Sequence, residues 1–284
     1  MAERRYCSEL NPGESLAGTA DHVGAWLLLE YRPVWKAKAL EQSALAPATR
    51  AWLDRSQAAL RAAGLKPRVQ FIRQPEVDSD RTRLFLAVAG RTLEYSGTGY
   101  GFLEDLDVGA EIRAPALGRE VAQPHYFVCT NGQRDLCCAR FGLPAYQALR
   151  ERLGGRVWQA THLGGHRFAP NVLVLPQGAL YGRVTVAAVE DFCAAVEGGA
   201  LAFAHLRGRS WYPGAVQAAE AMSGRSDLHL LHVDGDEGDA RVQFAGAQER
   251  ISIRVARQAA PVRVLKSCGD AASGVVHPYV RVES

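Results

Sequence analysis

The sequence predicts an α/β protein built on a repeated strand–helix–strand–strand–strand–helix order. Three observations carry that expectation. Between residues 120 and 199, six segments alternate between period-2 and period-3.6 hydrophobic patterning in that order. Residues 26–106 run through a similar order, and from 207 onward one helix is followed by several short strands. No long linker or low-complexity stretch interrupts the chain.

In the N-terminal part, 26–31 reads as a strand and 47–63 as an amphipathic helix. The segments 68–73, 83–89 and 92–95 read as strands, and a short helical piece near 102–106 closes the set. In the centre, HYFVC (125–129) is a strand followed by the polar loop TNGQRD. A helix is predicted to start at Pro144 and run to Leu153, with Tyr146, Leu149 and Leu153 on one face and Gly154–Gly155 ending it. A strand over 157–161 runs into the HLGGH loop. Strands over 172–175 and 180–184 are joined by PQG. Thr185 is expected to cap a helix whose apolar face carries Val189, Phe192, Cys193 and Val196. A βαβ unit followed by a ββα unit is the plan of thioredoxin-like domains. The N-terminal part suggests a degenerate copy of it, without Cys or His at the matching positions. The tail begins with a helix over 213–222 and continues with strands over 228–233, 240–244, 251–255 and 262–266. The expected domains are therefore 1–115 (N-terminal α/β, thioredoxin-like and degenerate), 120–206 (thioredoxin-like) and 207–284 (helix plus strands packing on the core). Pro170 sits just before a strand, where thioredoxin-like folds often place a cis-proline, although most X–Pro bonds are trans.

At 284 residues and 48% hydrophobic, the chain can bury a sizeable core. The net charge of +3 comes from mixed signs without a basic run, which argues against nucleic acid as a partner. MAERRYCSEL has no apolar segment of a secretory signal, and the longest apolar stretches, 26–29 and 84–89, are too short to span a bilayer. The expectation is a soluble, cytoplasmic protein without a membrane partner. Six cysteines in a reducing compartment point to metal binding or catalysis rather than disulfides.

Cys129 and Cys138 in CTNGQRDLCC and His162 and His166 in HLGGH form the most informative set: Cys-x8-Cys, a gap of 23 residues, then His-x3-His. Two thiolates and two imidazoles suit a Rieske-like [2Fe–2S] centre or a structural zinc. A two-iron cluster takes its ligands in pairs. Neutral imidazoles on one iron leave the cluster less negative and raise its potential. A ligating histidine can also exchange a proton through its second nitrogen, which couples reduction to protonation. The Gly164–Gly165 pair argues against a helix across HLGGH, since each glycine costs about 1 kcal/mol there. A loop whose glycine amides donate to the cluster is expected, with Asn131 and Gly132 doing the same from the other loop. Arg134 either pairs with Asp135 to shape the turn or offsets cluster charge or recognises a partner, and Arg167 is expected to play a similar supporting part. Cys193 reads as a core residue. Cys7 and Cys268 read as packing or loop residues, and the remaining histidines lack ligand spacing. GTGYG (97–101) lacks the spacing of a dinucleotide fingerprint, so no NAD or flavin is expected. Two rivals remain: a thiol–disulfide oxidoreductase using Cys129, Cys137 or Cys138, which lacks CxxC spacing, and a zinc-stapled interaction domain.

The stretches CSEL (7–10), LAGTA (16–20), FVCTNGQRDLCC (127–138), HLGGHRFAPN (162–171) and YGRV (181–184) resemble the sucrase/ferredoxin-like family. The resemblance implies a thioredoxin-like ferredoxin domain with a [2Fe–2S] cluster held by a Cys pair on one iron and a His pair on the other. Carried over position by position, the ligands are Cys129 and Cys138, then His162 and His166. The partners it implies are redox donor and acceptor proteins. Cys137 and Cys138 are adjacent, so either thiolate is available, and the x8 spacing favours Cys138. The family name does not imply sucrose cleavage, and no carboxylate pair in the sequence would support it.

Overall fold

The computed structural model describes residues 6–283, so the charged run 1–5 of the N-terminal segment discussed above lies outside the described residues. The first half opens with helix α1 (Cys7–Leu10) and strand β1 (Ala25–Glu30), then the short α2 (Ala39–Gln42) and the long α3 (Pro47–Ala62). Strands β2 (Pro67–Arg73), β3 (Arg81–Val88) and β4 (Arg91–Thr98) follow, then α4 (Val108–Arg113) and the two-residue β5 (Arg119–Glu120). The second half runs β6 (His125–Cys129), α5 (Leu136–Leu153), β7 (Val157–Ala160), β8 (Val172–Leu175), β9 (Ala179–Tyr181), α6 (Val189–Glu197) and β10 (Leu206–Arg209). The tail has α7 (Gly214–Ser223), β11 (His229–Gly235), β12 (Asp239–Ala245), β13 (Arg250–Arg257), β14 (Val262–Val264), β15 (Gly274–Val276) and β16 (Tyr279–Val282).

Ten strands join in one sheet, in the order β10-β9-β8-β6-β7-β2-β1-β3-β4-β5. In each half the first strand pairs parallel with the second and antiparallel with the third, and the third pairs antiparallel with the fourth. That is the thioredoxin-like order predicted for the fold class, and it occurs twice. The two second strands, β2 and β7, meet antiparallel through Ile72↔Ala160 and Arg73↔Gln159, which relates the halves by an approximate local twofold.

The all-buried run Ala25–Glu30 is possible because β1 is covered on both faces. Leu27 and Leu29 face α3, which begins with Pro47 at its first turn and buries Trp52, Leu53 and Leu60. Trp26 and Leu28 share the opposite core with Phe127, Trp158 and Leu173 of the second half, so the long sheet curls around a common core. Phe85 sits at this junction, 5.4 Å from Phe127 and 5.6 Å from Trp158, both edge-on. On the outer face of the second half, α5 and α6 bury Tyr146, Leu149, Phe192, Cys193 and Val196. In the tail, α7 packs on a four-stranded antiparallel sheet, β11-β12-β13-β16, where Ala240, Val242 and Phe244 alternate inward. A small separate hairpin pairs β14 with β15.

Two helix starts differ from expectation. Helix α5 begins at Leu136, not Pro144, because the Asp135 carboxylate accepts the Cys137 amide at 2.9 Å and caps it. Pro144 lies inside the helix, where it lacks an amide to donate. Thr185 makes no side-chain cap: a 3-10 turn over Val186–Ala188 intervenes before α6. The Ala169–Pro170 bond is cis. Among the described residues, no helix is long and apolar enough to cross a membrane.

Candidate metal centre

Cys129 is the last residue of β6, and His162 stands two residues past the end of β7. These strands are parallel neighbours, so both residues emerge at the carboxyl edge of the sheet, where open α/β sheets present their ligands. Cys138 joins them from the first turn of α5. The helix can lie this close because Gly142 has no side chain: a Cβ there would stand 2.1 Å from the Cys129 carbonyl oxygen. The ligand atoms of Cys129, Cys138 and His162 lie within 4.8 Å of one another, with Cys138 Sγ 3.8 Å from His162 Nδ1.

His166 stands beside this trio rather than within it. Its ring lies 4.9 Å from that of His162 at an interplanar angle of 32°. Its Nδ1 is buried and has no hydrogen-bond partner among the described residues. Its Nε2 faces Asp135 Oδ2 at 3.7 Å, beyond hydrogen-bond distance. Burial holds His166 below the usual histidine range, against the pull of Asp135, so the ring is neutral near pH 7. A half-buried, neutral imidazole whose buried Nδ1 has no partner offers a lone pair next to this trio, which fits a metal or cluster at this point.

Both thiols are sealed: Cys129 is 1% exposed and Cys138 is not exposed at all. A hydrogen bond from the Cys138 thiol holds Cys129 well below the usual thiol range. His162 and the Leu163 amide add to this against the opposing effect of burial. The same bond, with burial, pushes Cys138 well above that range.

The neighbouring residues singled out from sequence have other partners. The Asn131 side chain donates to Lys36 O at 3.0 Å, and the Gly132 amide donates to Thr130 O at 2.9 Å, so neither of these groups points at the centre. A Cβ on Gly132 would lie 2.6 Å from Ala139 Cβ, so that glycine lets the loop pack on α5. Gly164 (φ +91°) and Gly165 (φ +66°) do form a loop, not a helix. Their shape makes room for Arg207: a Cβ on Gly165 would sit 2.5 Å from Arg207 Nη2. Arg207 is 1% exposed and binds Gly164 O at 2.8 Å, Asn171 Oδ1 at 2.9 Å and Thr19 O at 2.6 Å. Burial lowers it to about 10. Arg134 makes no ion pair with Asp135 among the described residues. It lines a surface depression with Lys38, Asn131 and His162. Arg167 is taken by Glu14, with contacts of 2.8–3.0 Å.

Four residues lie together next to this centre, Cys7, Asp135, Cys137 and Cys268, of which the sequence offered only Cys137 as a ligand, in place of Cys138. The Cys137–Cys138 pair was their one local signal. Cys7 and Cys268 lie at opposite ends of the chain, and no sequence spacing joins them.

A family model described as sucrase/ferredoxin-like matches residues 16–208. Among solved structures, a thioredoxin-like [2Fe–2S] ferredoxin from Aquifex aeolicus is similar at 21% identity, over 30% of this chain and 91% of its own, with a TM-score of 0.27. No curated protein matches.

Proposed function

The chain belongs to the sucrase/ferredoxin-like family, and from that premise we propose that it is a one-electron carrier. Its [2Fe–2S] cluster would be held by Cys129 and Cys138 on one iron and by His162 and His166 on the other. The supporting observation is the convergence of two sealed thiols and two adjacent imidazoles, one with an unpartnered buried nitrogen. When bound, the cluster supplies a one-electron couple at a potential raised by its imidazole ligands.

The protein's own residues bind, orient and insulate. The Leu163 amide donates to the Cys129 sulfur and favours its thiolate. Asp135 faces His166 Nε2 at 3.7 Å and acts on that ring through its charge rather than a hydrogen bond. The curled-sheet core excludes water from the cysteine side, whereas both histidines are half-buried. Lys38, paired with Glu41 at 3.4 Å, and Arg134 line the depression beside His162, the opening through which a redox partner would approach. In the reducing cytoplasm, where we place the protein, its cysteines stay available as thiolates. A thiol–disulfide exchange role has no route in, because attack on sulfur needs access and Cys129, Cys137 and Cys138 are all sealed.

The test is replacement of each histidine by cysteine. His162→Cys and His166→Cys should each keep a cluster and lower its potential, away from the Rieske range of about −150 to +300 mV and towards the roughly −400 mV of all-thiolate clusters. An unchanged potential and spectrum in both variants would mean that these histidines are not ligands.

A further inference from the structure

We propose that Cys7, Cys137 and Cys268, with Asp135 as fourth ligand, form a second and separate metal site for a single thiophilic divalent cation, zinc. It would staple α1 and the loop between β14 and β15 onto the start of helix α5. The family model's match, residues 16–208, takes in Asp135 and Cys137 but neither Cys7 nor Cys268, so it does not cover the complete site.

The geometry is that of a mononuclear site. The three sulfurs stand 3.2 Å (Cys137–Cys268), 3.5 Å (Cys7–Cys137) and 3.7 Å (Cys7–Cys268) apart. Zn–S bonds of about 2.3 Å in a tetrahedron set sulfurs about 3.8 Å apart. Thiolates on separate irons of a cluster would be spread more widely. A disulfide would use two of the sulfurs and leave the third without a role, whereas one cation uses all three. Asp135 Oδ1 lies 3.9 Å from Cys7 Sγ, and all four ligand atoms fall within 4.8 Å of one another.

The backbone is arranged to hold the sulfurs there. Asp135 accepts the Cys137 amide at 2.9 Å through Oδ1, and the Cys268 amide and Ser267 hydroxyl, each at 2.9 Å, through Oδ2. Ser8 Oγ donates to Cys137 Sγ at 3.3 Å, and the Cys7 amide reaches Cys268 Sγ at 3.4 Å. A metal takes thiolates, so loading the site would release the cysteine protons to solvent.

The site also answers a packing deficit. The four-residue helix α1 and the loop between β14 and β15 meet in a small cluster whose buried members are only Cys7, Cys137 and Ala169. Around them pack the partly buried Tyr6, Phe141 and Leu265, with Tyr6 edge-on to Phe141 at 5.5 Å, and Asn11 adds polar ties, its Nδ2 to Leu265 O at 2.8 Å and its Oδ1 from the Leu265 amide at 3.1 Å. Few fully buried apolar groups thus join these two segments, and a structural metal would add to their hold.

The experiment measures zinc and iron in the same full-length sample, prepared without chelator. About one zinc per chain is expected, with about three sulfur neighbours at about 2.3 Å by X-ray absorption at the zinc edge. Cys7→Ser and Cys268→Ser should each lose the zinc and keep the iron and the visible spectrum. Should either variant fail to fold, the zinc-edge spectrum of the unmodified chain decides. Any of three results would overturn the proposal: no zinc uptake by the reduced protein, a disulfide among the three cysteines in the purified chain, or zinc that survives Cys7→Ser but disappears with Cys129→Ser. Zinc without iron would overturn the electron-carrier reading and leave this one standing.

Discussion

Asp135 caps α5 through the Cys137 amide, receives the Cys268 amide and the Ser267 hydroxyl, and faces His166. One carboxylate thus fixes where two adjacent cysteines point. Cys138 Sγ turns towards His162 at 3.8 Å, whereas Cys137 Sγ turns towards Cys7 and Cys268 at 3.5 and 3.2 Å. Cys138→Ser is therefore expected to abolish the visible absorption of the purified protein, and Cys137→Ser to retain it. The opposite pattern in absorption spectra would move the ligand by one residue. At this scale the Cys/His set was legible because its members lie in two short motifs at recognisable spacing. The grouping of Cys7 with Cys137 and Cys268 was not, since 130 and 131 residues of chain separate the partners of Cys137 from it. Likewise, the glycines of HLGGH were legible as a loop but not as the space occupied by Arg207, whose guanidinium arrives from β10.

Helices and strands were legible where hydrophobic period and end signals agreed. Pro47 at the start of α3 and Gly64 in a left-handed conformation just past its end are such a case. In α5 the signals conflicted: Pro144 reads as a start, yet the cap at Asp135 and the close approach permitted by Gly142 begin the helix about two turns earlier. Short strands such as β5, β15 and β16 carry too few residues for a period to show. The link after α4 depends on a buried carboxylate. Burial tends to push Glu111 up, but the amides of Ala116, Leu117 and Gly118 and the Tyr95 hydroxyl, at 2.9–3.2 Å, outweigh it and hold Glu111 below the usual carboxylate range. A carboxylate depressed in the folded state stabilises above its unfolded value, and that contribution is lost as pH falls through the folded value. Glu111→Gln should therefore cost about 2 kcal/mol at pH 7 in urea unfolding, and progressively less as the pH drops below the ordinary carboxylate range. A cost that stays equal at both ends of that range would show that charge is not the source.

At the scale of the whole molecule, the two thioredoxin-like units are joined by two residue pairs between β2 and β7 and by the aromatic junction around Phe85. The order of elements in each unit was legible as an alternation of periods. Their fusion into one curled sheet was not, because an edge pairing this short leaves no periodic mark. The fusion has a consequence for the site: the curl covers the cysteine side with Trp26, Phe127 and Trp158, while His162 and His166 remain half-buried. A centre insulated on one side and approachable on the other suits electron transfer to a docked partner more than chemistry on a small substrate. The most direct measurement is the iron and acid-labile sulfide content of the chain purified without air. The account predicts coloured protein with about two of each per chain. Colourless protein without iron or sulfide, from iron-replete anaerobic expression, would contradict it.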